Sequence, residues 1–181
     1  MRFVYPIRNN HQIEYIKQYL KNRSERDYIL FLLGIHSGLR ISDLLALKVK
    51  DILLGERLIV KEIKTGKTKS FPLSSQVHAE VHSYASKCKG AYLFPSRKGK
   101  AAISRQQAYL ILSDAAREAG IGEPIGTHTL RKTFAYWAYK QGASLELIQK
   151  ILNHSSSATT LRYLGITQEE MDEVYLTLRF C

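Results

Sequence analysis

Hydrophobic residues recur every three or four positions along most of this chain, which is the spacing of amphipathic helices. Residues 9–22 are an example, with Ile13, Ile16 and Leu20 on one stripe. The next segment, 24–36, is apolar nearly all round and is therefore predicted to be the central helix of the core. The same spacing predicts further helices at 41–47, 75–86, 104–119, 129–141, 144–152, 157–164 and 168–177.

Between residues 51 and 73 the pattern changes to that of short strands. Three β-type runs, 51–54, 58–63 and 68–73, are separated by Gly55-Glu56 and by Lys64-Thr-Gly-Lys67. These breaks predict a small antiparallel three-stranded β-sheet. The predicted fold class is therefore mainly α with one small sheet. A single domain is predicted, because one domain typically has roughly 100–200 residues.

The charge of the chain indicates a class of partner. It has 27 Lys and Arg residues against 16 Asp and Glu, a net charge of +11. Four of the acids but only one base, Arg179, come after residue 166, so residues 1–166 carry a net charge of +14. A body this basic attracts polyanions, of which nucleic acid is the commonest. A well-solvated surface is the alternative that charge alone leaves open.

Membrane insertion and secretion are not indicated. The longest apolar run is Tyr28–Ile35, whereas a membrane-spanning helix needs about 20 residues. No basic-then-apolar leader opens the chain. The cysteines are Cys88 and Cys181 alone, so a disulfide framework is not expected and a reducing cytoplasm is the predicted compartment.

The sequence gives no support for a metal or nucleotide cofactor. His78 and His82 share a helix face, but no Glu at the expected spacing and no nearby cysteine completes a zinc site, and an exposed polar face is the simpler interpretation. Gly66-Lys-Thr68 imitates the end of a Walker loop, yet Lys61 stands where that loop needs its first glycine. We therefore predict no cofactor.

Cations and hydrogen-bond donors do collect at predicted helix starts. Arg40 follows Gly38 and can meet a phosphate beside a helix N-terminus, although a surface pair with Asp43 is the simpler interpretation of Arg40 alone. His128 and Arg131 are three residues apart and can share a face. For this pair, a solvent-facing position on a capped helix is equally compatible.

A third stretch runs from Leu152 to Tyr163. In one unbroken helix, His154 and Tyr163 would lie roughly 13 Å apart. Ser155–Ser157 can interrupt the helix, however, and Asn153 can take the left-handed conformation that ends one. Both side chains can then face one site, although Tyr163 taken alone is more simply a half-buried core tyrosine.

Taken in this order, the three stretches resemble the tyrosine recombinase (phage integrase) family. One sequence box is matched by Ser37-Gly-Leu-Arg-Ile-Ser-Asp43, and the other by His128-Thr-Leu-Arg131, Leu152-Asn-His154 and Tyr163. The hairpin between the boxes carries Lys64 in the turn where the family has its catalytic lysine. The resemblance extends from about residue 10 to residue 166, and it implies the catalytic-domain fold of that family.

The resemblance implies a site-specific DNA recombinase. Tyr163 would attack a DNA phosphate, form a 3′-phosphotyrosyl link and release a 5′-hydroxyl. Arg40 and Arg131 would hold the non-bridging oxygens, in place of metal ions. Lys64 would protonate the leaving oxygen as general acid, with Lys67 and Lys69 as rivals for that role.

The same resemblance assigns three supporting roles. His128 would assist proton transfer at the tyrosine or hydrogen-bond the phosphate. His154 would donate a hydrogen bond to a phosphate oxygen, and Asp43 would support the arrangement without reacting. Because the covalent link conserves the energy of the phosphodiester, no ATP is expected.

Double-stranded DNA is thus the implied partner. Further basic residues are candidates for contacts with its backbone, and the helix at 104–119 is a candidate for a groove. A solvated loop is the alternative for residues 97–100. The proposed DNA-binding residues are Lys67, Lys69, Arg97, Lys98, Lys100, Arg105 and Lys132.

Two features depart from the family's pattern. Asn153 stands where the family usually has glycine. A separate N-terminal domain, with which such enzymes complete a clamp around DNA, is not expected. Residues 1–181 are predicted to be a single catalytic domain, either cut from a longer enzyme or naturally short like the compact fimbrial-switch recombinases.

The last predicted helix bears on assembly. Thr167 can cap it, and Met171, Val174, Tyr175 and Leu178 form an apolar stripe. In resembling enzymes the terminal helix docks on the same or a neighbouring subunit, which implies a tetramer on DNA and a monomer or weak oligomer when free. Packing within one chain is the alternative. For the activity itself, a type IB topoisomerase and a catalytically silent DNA-binding member stay open.

Overall fold

The computed structural model describes residues 4–97, 100–166 and 168–177. These residues form ten helices and two strands. In chain order they are α1 (Asn10–Arg23), α2 (Glu25–Ser37), α3 (Ile41–Ala46), α4 (Val49–Leu53), β1 (Arg57–Lys61), β2 (Thr68–Pro72), α5 (Ser75–Lys87), α6 (Arg105–Glu118), α7 (Thr129–Lys140), α8 (Leu145–Leu152), α9 (Ser157–Leu164) and α10 (Gln168–Thr177).

The all-apolar second helix lies at the centre, as its sequence predicts. Helix α2 packs against α1, α5 and α7, and its side chains from Tyr28 to Leu33 are buried. Ser24 caps its start by accepting a hydrogen bond from the backbone N–H of Asp27. Gly38 ends it in the left-handed conformation (φ 60°), which directs the chain into α3.

The sheet has two strands, so the prediction of three was wrong. Strand β1 pairs with β2 in antiparallel register, from Arg57 opposite Pro72 to Lys61 opposite Thr68. The run 51–54 belongs instead to α4 and the residue after it. Its Asp51 carboxylate accepts a hydrogen bond from the backbone N–H of Lys48 at 2.8 Å, which starts a helical turn. Ile52 alone is buried in α4, so the segment lacks the alternation of a half-buried strand.

Two glycines allow α7 to lie directly against α2. A Cβ atom at Gly34 would overlap the side chain of Leu130, and one at Gly38 would come within 2.6 Å of the Phe134 ring. Because both positions lack a side chain, the start of α7 reaches the end of α2. This close approach brings Arg131 next to Gly38.

A second, smaller core joins α8 and α9 to α7. It consists of Ala135, Ile148, Leu152 and Leu164, with Tyr163 partly buried against them. This core fixes the two helices that follow α7, and therefore fixes where Tyr163 lies.

The segment before α1 crosses the same region. The backbone N–H of Ile7 donates to Thr133 Oγ1 at 2.9 Å, and Trp137 Nε1 donates to the carbonyl of Ile7 at 3.0 Å. Arg8 donates to the carbonyl of Gly165, the residue that ends α9. The N-terminal segment thus ties α7 to the C-terminal end of α9.

Helix α10 begins against α7 of the same chain. Glu170 accepts a hydrogen bond from the Tyr136 hydroxyl and pairs with Lys140, each at 3.1 Å. Tyr175 and Leu176, further along, are exposed. Several predicted features lie outside the described residues: the cap at Thr167, the side chains of Met171 and Val174, and Leu178.

No helix among those described has the length and apolar character needed to cross a membrane.

Candidate active site

Arg40 lies at the N-terminus of α3, directly after the turn that Gly38 makes. Its guanidinium does not pair with Asp43, which was the simpler alternative for Arg40 taken alone. It pairs instead with Glu62, with 2.8 Å between Arg40 Nη1 and Glu62 Oε2. The Arg40 side chain is largely buried, at 16% exposure.

Asp43 is buried on α3 and anchors the hairpin turn. Its Oδ1 atom accepts a hydrogen bond from the backbone N–H of Ile63 at 2.9 Å. Since Ile63 precedes Lys64, this bond fixes the start of the turn that carries Lys64. The supporting role that the resemblance implies for Asp43 stays a prediction.

Arg131 is completely buried at the start of α7 and joins two helix ends. Its Nη1 donates to the carbonyl of Gly38 at 2.6 Å, and its Nη2 donates to the carbonyl of Leu152. Burial, and then the neighbouring charge of Arg40, lower the pKa of Arg131 to about 10. The guanidinium therefore stays protonated at neutral pH.

The chain reverses between α8 and α9 as the sequence predicts. Asn153 ends α8 in the left-handed conformation (φ 50°, ψ 44°), and Ser156 caps α9 through its side chain. This reversal brings the ring of His154 to 4.6 Å from the ring of Tyr163, measured between centroids. The two side chains that one helix would separate therefore lie in contact.

His154 is neutral at physiological pH. Burial lowers its pKa to about 4, helped by the positive charges of Arg131, Arg40 and Lys69. Its Nδ1 atom lies 3.0 Å from the Thr160 hydroxyl.

Tyr163 projects from α9 towards the start of α7. Its hydroxyl lies 3.4 Å from Nδ1 of His128. The Lys132 ammonium lies 5.5 Å from the centroid of the tyrosine ring, and the guanidinium carbon of Arg131 lies 6.0 Å from it. Burial, and then the charges of Arg131 and Lys132, lower the pKa of His128. Tyr163 thus faces a histidine that is disposed to be neutral, within a cluster of cations.

The lysines of the hairpin occupy different environments. Lys64 and Lys67 are exposed on the turn between β1 and β2. Lys69 is only 12% exposed, lies 3.1 Å from Glu62 Oε1 and donates to the carbonyl of Ile151. Burial and the charge of Arg131 lower the pKa of Lys69, and Glu62 opposes that change.

Glu62 is the site residue that the sequence analysis missed. It is 1% exposed, with its side chain among the cations. A signal was present, because Leu58 and Val60 are the buried positions of β1 and Glu62 continues their two-residue period. An acid at an inward position of a strand indicates a buried partner of opposite charge.

A groove of about 930 Å³ opens beside these residues. Lys64, His128, Lys132 and Tyr163 line one part of it, and helix α6 lines another. From α6 come the basic side chains of Arg105 and Arg117 and the ring of Tyr109. The groove therefore combines the predicted reacting residues with additional positive charge.

The remaining predicted DNA-binding residues lie in three settings. Arg97, Lys100 and Arg105 are exposed, and Lys98 lies outside the described residues. Lys132 is buried beside Tyr163.

Over the described ranges, no three or more His, Cys, Asp or Glu side chains come together in a way that suits a metal ion.

Comparison with known proteins places the chain in a family. The family model "Phage integrase family" matches residues 8–170. A probable integrase/recombinase of Bacillus subtilis (strain 168), YoeC, is 44% identical over 176 residues, which are 97% of each chain. The type 1 fimbriae regulatory protein FimE of Escherichia coli (strain K12) is 38% identical over 146 residues, 76% of this chain and 73% of FimE.

A solved structure has the same fold. The XerH site-specific recombinase bound to palindromic difH substrate, a post-cleavage complex, superposes with a TM-score of 0.76 at 21% identity, over 97% of this chain and 54% of XerH. Because the family model covers nearly all of the chain and YoeC is 44% identical over almost the full length, the chain is a member of the phage integrase, or tyrosine recombinase, family.

Proposed function

We propose that this protein is a site-specific DNA recombinase that cuts and rejoins strands through Tyr163. The observation that carries the proposal is the meeting of Tyr163, His128 and His154 beside Arg40 and Arg131. A tyrosine surrounded by guanidinium and imidazole groups suits attack on a phosphodiester, because the attack builds negative charge on the non-bridging oxygens. The membership of the chain in the integrase family supports the same activity.

The cleavage step assigns a role to each of these groups. The Tyr163 oxygen bonds to the phosphorus while the bond from phosphorus to the 5′-oxygen breaks. His128 takes the proton of the tyrosine, because its Nδ1 atom faces the hydroxyl at 3.4 Å and its lowered pKa keeps the imidazole neutral and able to accept a proton. Arg40 and Arg131 hold the non-bridging oxygens.

Lys64 completes the step by giving a proton to the departing 5′-oxygen. The exposed position of Lys64 on the groove that contains Tyr163 supports this role, whereas Lys69 is engaged by Glu62 and Ile151. His154, neutral and next to Tyr163, donates to a phosphate oxygen. Attack of a 5′-hydroxyl on the phosphotyrosine reverses every transfer and rejoins the strand.

The DNA lies along the basic groove. Arg105 contacts phosphates, which gives affinity rather than sequence recognition, whereas Arg117 of the same helix is already paired with Asp114 and Glu118. Lys67, Arg97 and Lys100 are exposed and are proposed as further contacts with the DNA backbone. The similarity to XerH bound to difH substrate supports double-stranded DNA as the partner.

Recombination joins two sites, so we propose a tetramer of this chain on DNA. The exposed Tyr175 and Leu176 of α10 support the idea, because they are available to a neighbouring subunit. The cytoplasm is the proposed compartment.

The proposal is tested with a nicked suicide DNA substrate, from which the cleaved end diffuses away and leaves the protein attached. We expect a covalent adduct that maps to Tyr163. DNA binding without any adduct would instead identify a silent DNA-binding member of the family. Because the target sequence has to be found first, selection of bound sequences from a random DNA pool precedes the cleavage assay.

A further inference from the structure

We propose that Glu62 is a positioning residue for strand cleavage, one that holds Arg40 in place for the phosphate and links it to Asn153 in the turn before His154. This inference rests on the function proposed above. It concerns a carboxylate outside the sequence motifs that identified the family.

The carboxylate of Glu62 joins three parts of the chain. Its Oε2 atom accepts hydrogen bonds from Thr65 Oγ1 at 2.6 Å and from Asn153 Nδ2 at 3.2 Å, and it pairs with Arg40 Nη1 at 2.8 Å. Its Oε1 atom faces the ammonium of Lys69 at 3.1 Å. The hairpin, the start of α3 and the end of α8 therefore meet at one buried group.

Electrostatics explain why an acid is needed there. Burial lowers the pKa values of Arg131 and Lys69, and the charge of Arg40 lowers both further, which shows that these three cations lie close together. Buried cations repel one another strongly unless an anion lies among them. Before DNA binds, no phosphate is present to act as that anion. Glu62 therefore keeps Arg40 in the position that it needs for holding the phosphate.

Glu62 is ionised under all conditions in which the protein would work. Burial raises the pKa of its carboxyl. The interactions with Thr65, Arg40 and Lys69 outweigh this effect and lower the pKa to about 2. Asp43 is the other fully buried acid in the described part of the chain, and its Oδ1 atom is taken by the backbone of Ile63. Glu62 is thus the carboxylate that pairs with Arg40.

Asn153 has two separable functions in this arrangement. Its backbone needs the left-handed conformation, which glycine adopts at least as well. Its side-chain amide adds the hydrogen bond to Glu62, which glycine cannot make. Replacing Asn153 by glycine therefore removes the link and keeps the turn.

The first experiment compares Glu62→Gln with Glu56→Gln, a matched loss of one charge at an exposed position just before β1. Single-turnover cleavage of the suicide substrate is measured against DNA concentration. We expect the rate at saturating DNA to fall about 10- to 100-fold in Glu62→Gln, because Arg40 loses its ion-pair partner. The DNA concentration for half-saturation should stay within about twofold or decrease, since an acid near the phosphate has gone. Glu56→Gln should match the wild type.

The second experiment asks whether Glu62 acts through Arg40 and Asn153. In an Arg40→Ala background, adding Glu62→Gln should cost little more, because the residue that it positions is absent. Asn153→Gly should slow cleavage about 3- to 10-fold with an unchanged melting temperature, and Asn153→Gly with Glu62→Gln should be no slower than Glu62→Gln alone.

Each outcome decides one question. Cleavage by Glu62→Gln and Asn153→Gly at the wild-type rate would overturn the inference, and so would additive effects in the double variants. If Glu62→Gln does not fold, the Asn153→Gly comparison alone decides. An absence of covalent adduct in the wild-type protein would overturn the proposed function instead.

Discussion

The hydroxyl of Tyr163 lies 3.4 Å from Nδ1 of His128, although 35 residues separate them in the chain. Tyr163 comes from α9 and His128 from the residue before α7, and the small core between α7, α8 and α9 holds the two at this distance. The distance is slightly longer than an ordinary hydrogen bond. A modest closure on binding DNA would bring the proton of the tyrosine within reach of the imidazole.

Tyr163→Phe should bind DNA like the wild type and form no covalent adduct. The change removes one hydroxyl and no charge, whereas binding depends mainly on phosphate contacts. Gel-shift titration gives the affinity, and denaturing gels of the suicide substrate show the adduct. Tyr139→Phe, at an exposed position of α7, is the matched control and should retain the adduct. An adduct that persisted in Tyr163→Phe would move the nucleophile to another tyrosine.

Lys64→Ala should slow cleavage of ordinary DNA by about 100-fold or more, because the leaving 5′-oxygen loses its acid. It should cleave a substrate with sulfur in place of that bridging oxygen at nearly the wild-type rate, since a thiolate leaves without a proton. Lys67→Ala is the control for charge on the same turn. If Lys69→Ala were rescued by the sulfur substrate and Lys64→Ala were not, Lys69 would be the general acid.

Cleavage should be unaffected by a metal chelator. Arg40, Arg131 and Lys64 supply the positive charge that metal ions supply in many nucleases. Adduct formation measured in EDTA and in magnesium should therefore give the same rate. Loss of cleavage in EDTA with recovery in magnesium would contradict this assignment of charge.

His154 should make stability depend on pH between about 6.5 and 4. Its folded-state pKa of about 4 is below the ordinary 6.5, so in this range the unfolded chain binds a proton that the folded chain does not. Stability is therefore fully present above pH 6.5 and is lost as the pH falls towards 4. The lowered pKa of His128 acts in the same direction, and Glu62 adds to the loss only below about pH 4.5.

The measurement is the free energy of unfolding by urea at pH 7 and at pH 4.5. In His154→Asn, which cannot ionise, the difference between the two pH values should shrink by about 2 kcal/mol. His11→Asn, at an exposed position of α1, should keep the wild-type difference. An unchanged difference in His154→Asn would show that the neutral form of His154 is not favoured by folding.

Deletion of residues 168–181 should weaken assembly on DNA and leave binding of a single protomer intact. The deletion removes the exposed Tyr175 and Leu176, whereas the groove lies elsewhere. It also removes Glu170, which anchors α10 to Tyr136 and Lys140 in the same chain. Sedimentation with the target DNA measures the assembly. A deletion variant that assembled like the full chain would show that α10 packs only within its own subunit.

Local structure along most of the chain follows from residue type and spacing alone. Spacing of apolar residues located nine of the ten described helices, and serines at 24, 104, 144 and 156 cap four of them through their side chains. The left-handed turn at Asn153 also followed from residue type, because few side chains tolerate that conformation. These features depend on interactions within a few residues, which a sequence contains in full.

The resemblance to the family also supplied the candidate reacting residues, and their roles stay predictions. The run 51–54 was assigned wrongly because four apolar-rich residues suit a strand as well as a helical turn, and only the Asp51 bond to Lys48 decided between them.

Tertiary structure alone decided which partner each charge would have. Arg40 pairs with Glu62 rather than with Asp43, Lys69 is buried while Lys64 is exposed, and Asn153 reaches a carboxylate 91 residues away. Such pairings depend on how α2, α7, α8 and the hairpin pack, and the free energy of a buried charge depends on everything around it. A sequence specifies which charges exist, but only the folded chain determines which of them are close enough to act together.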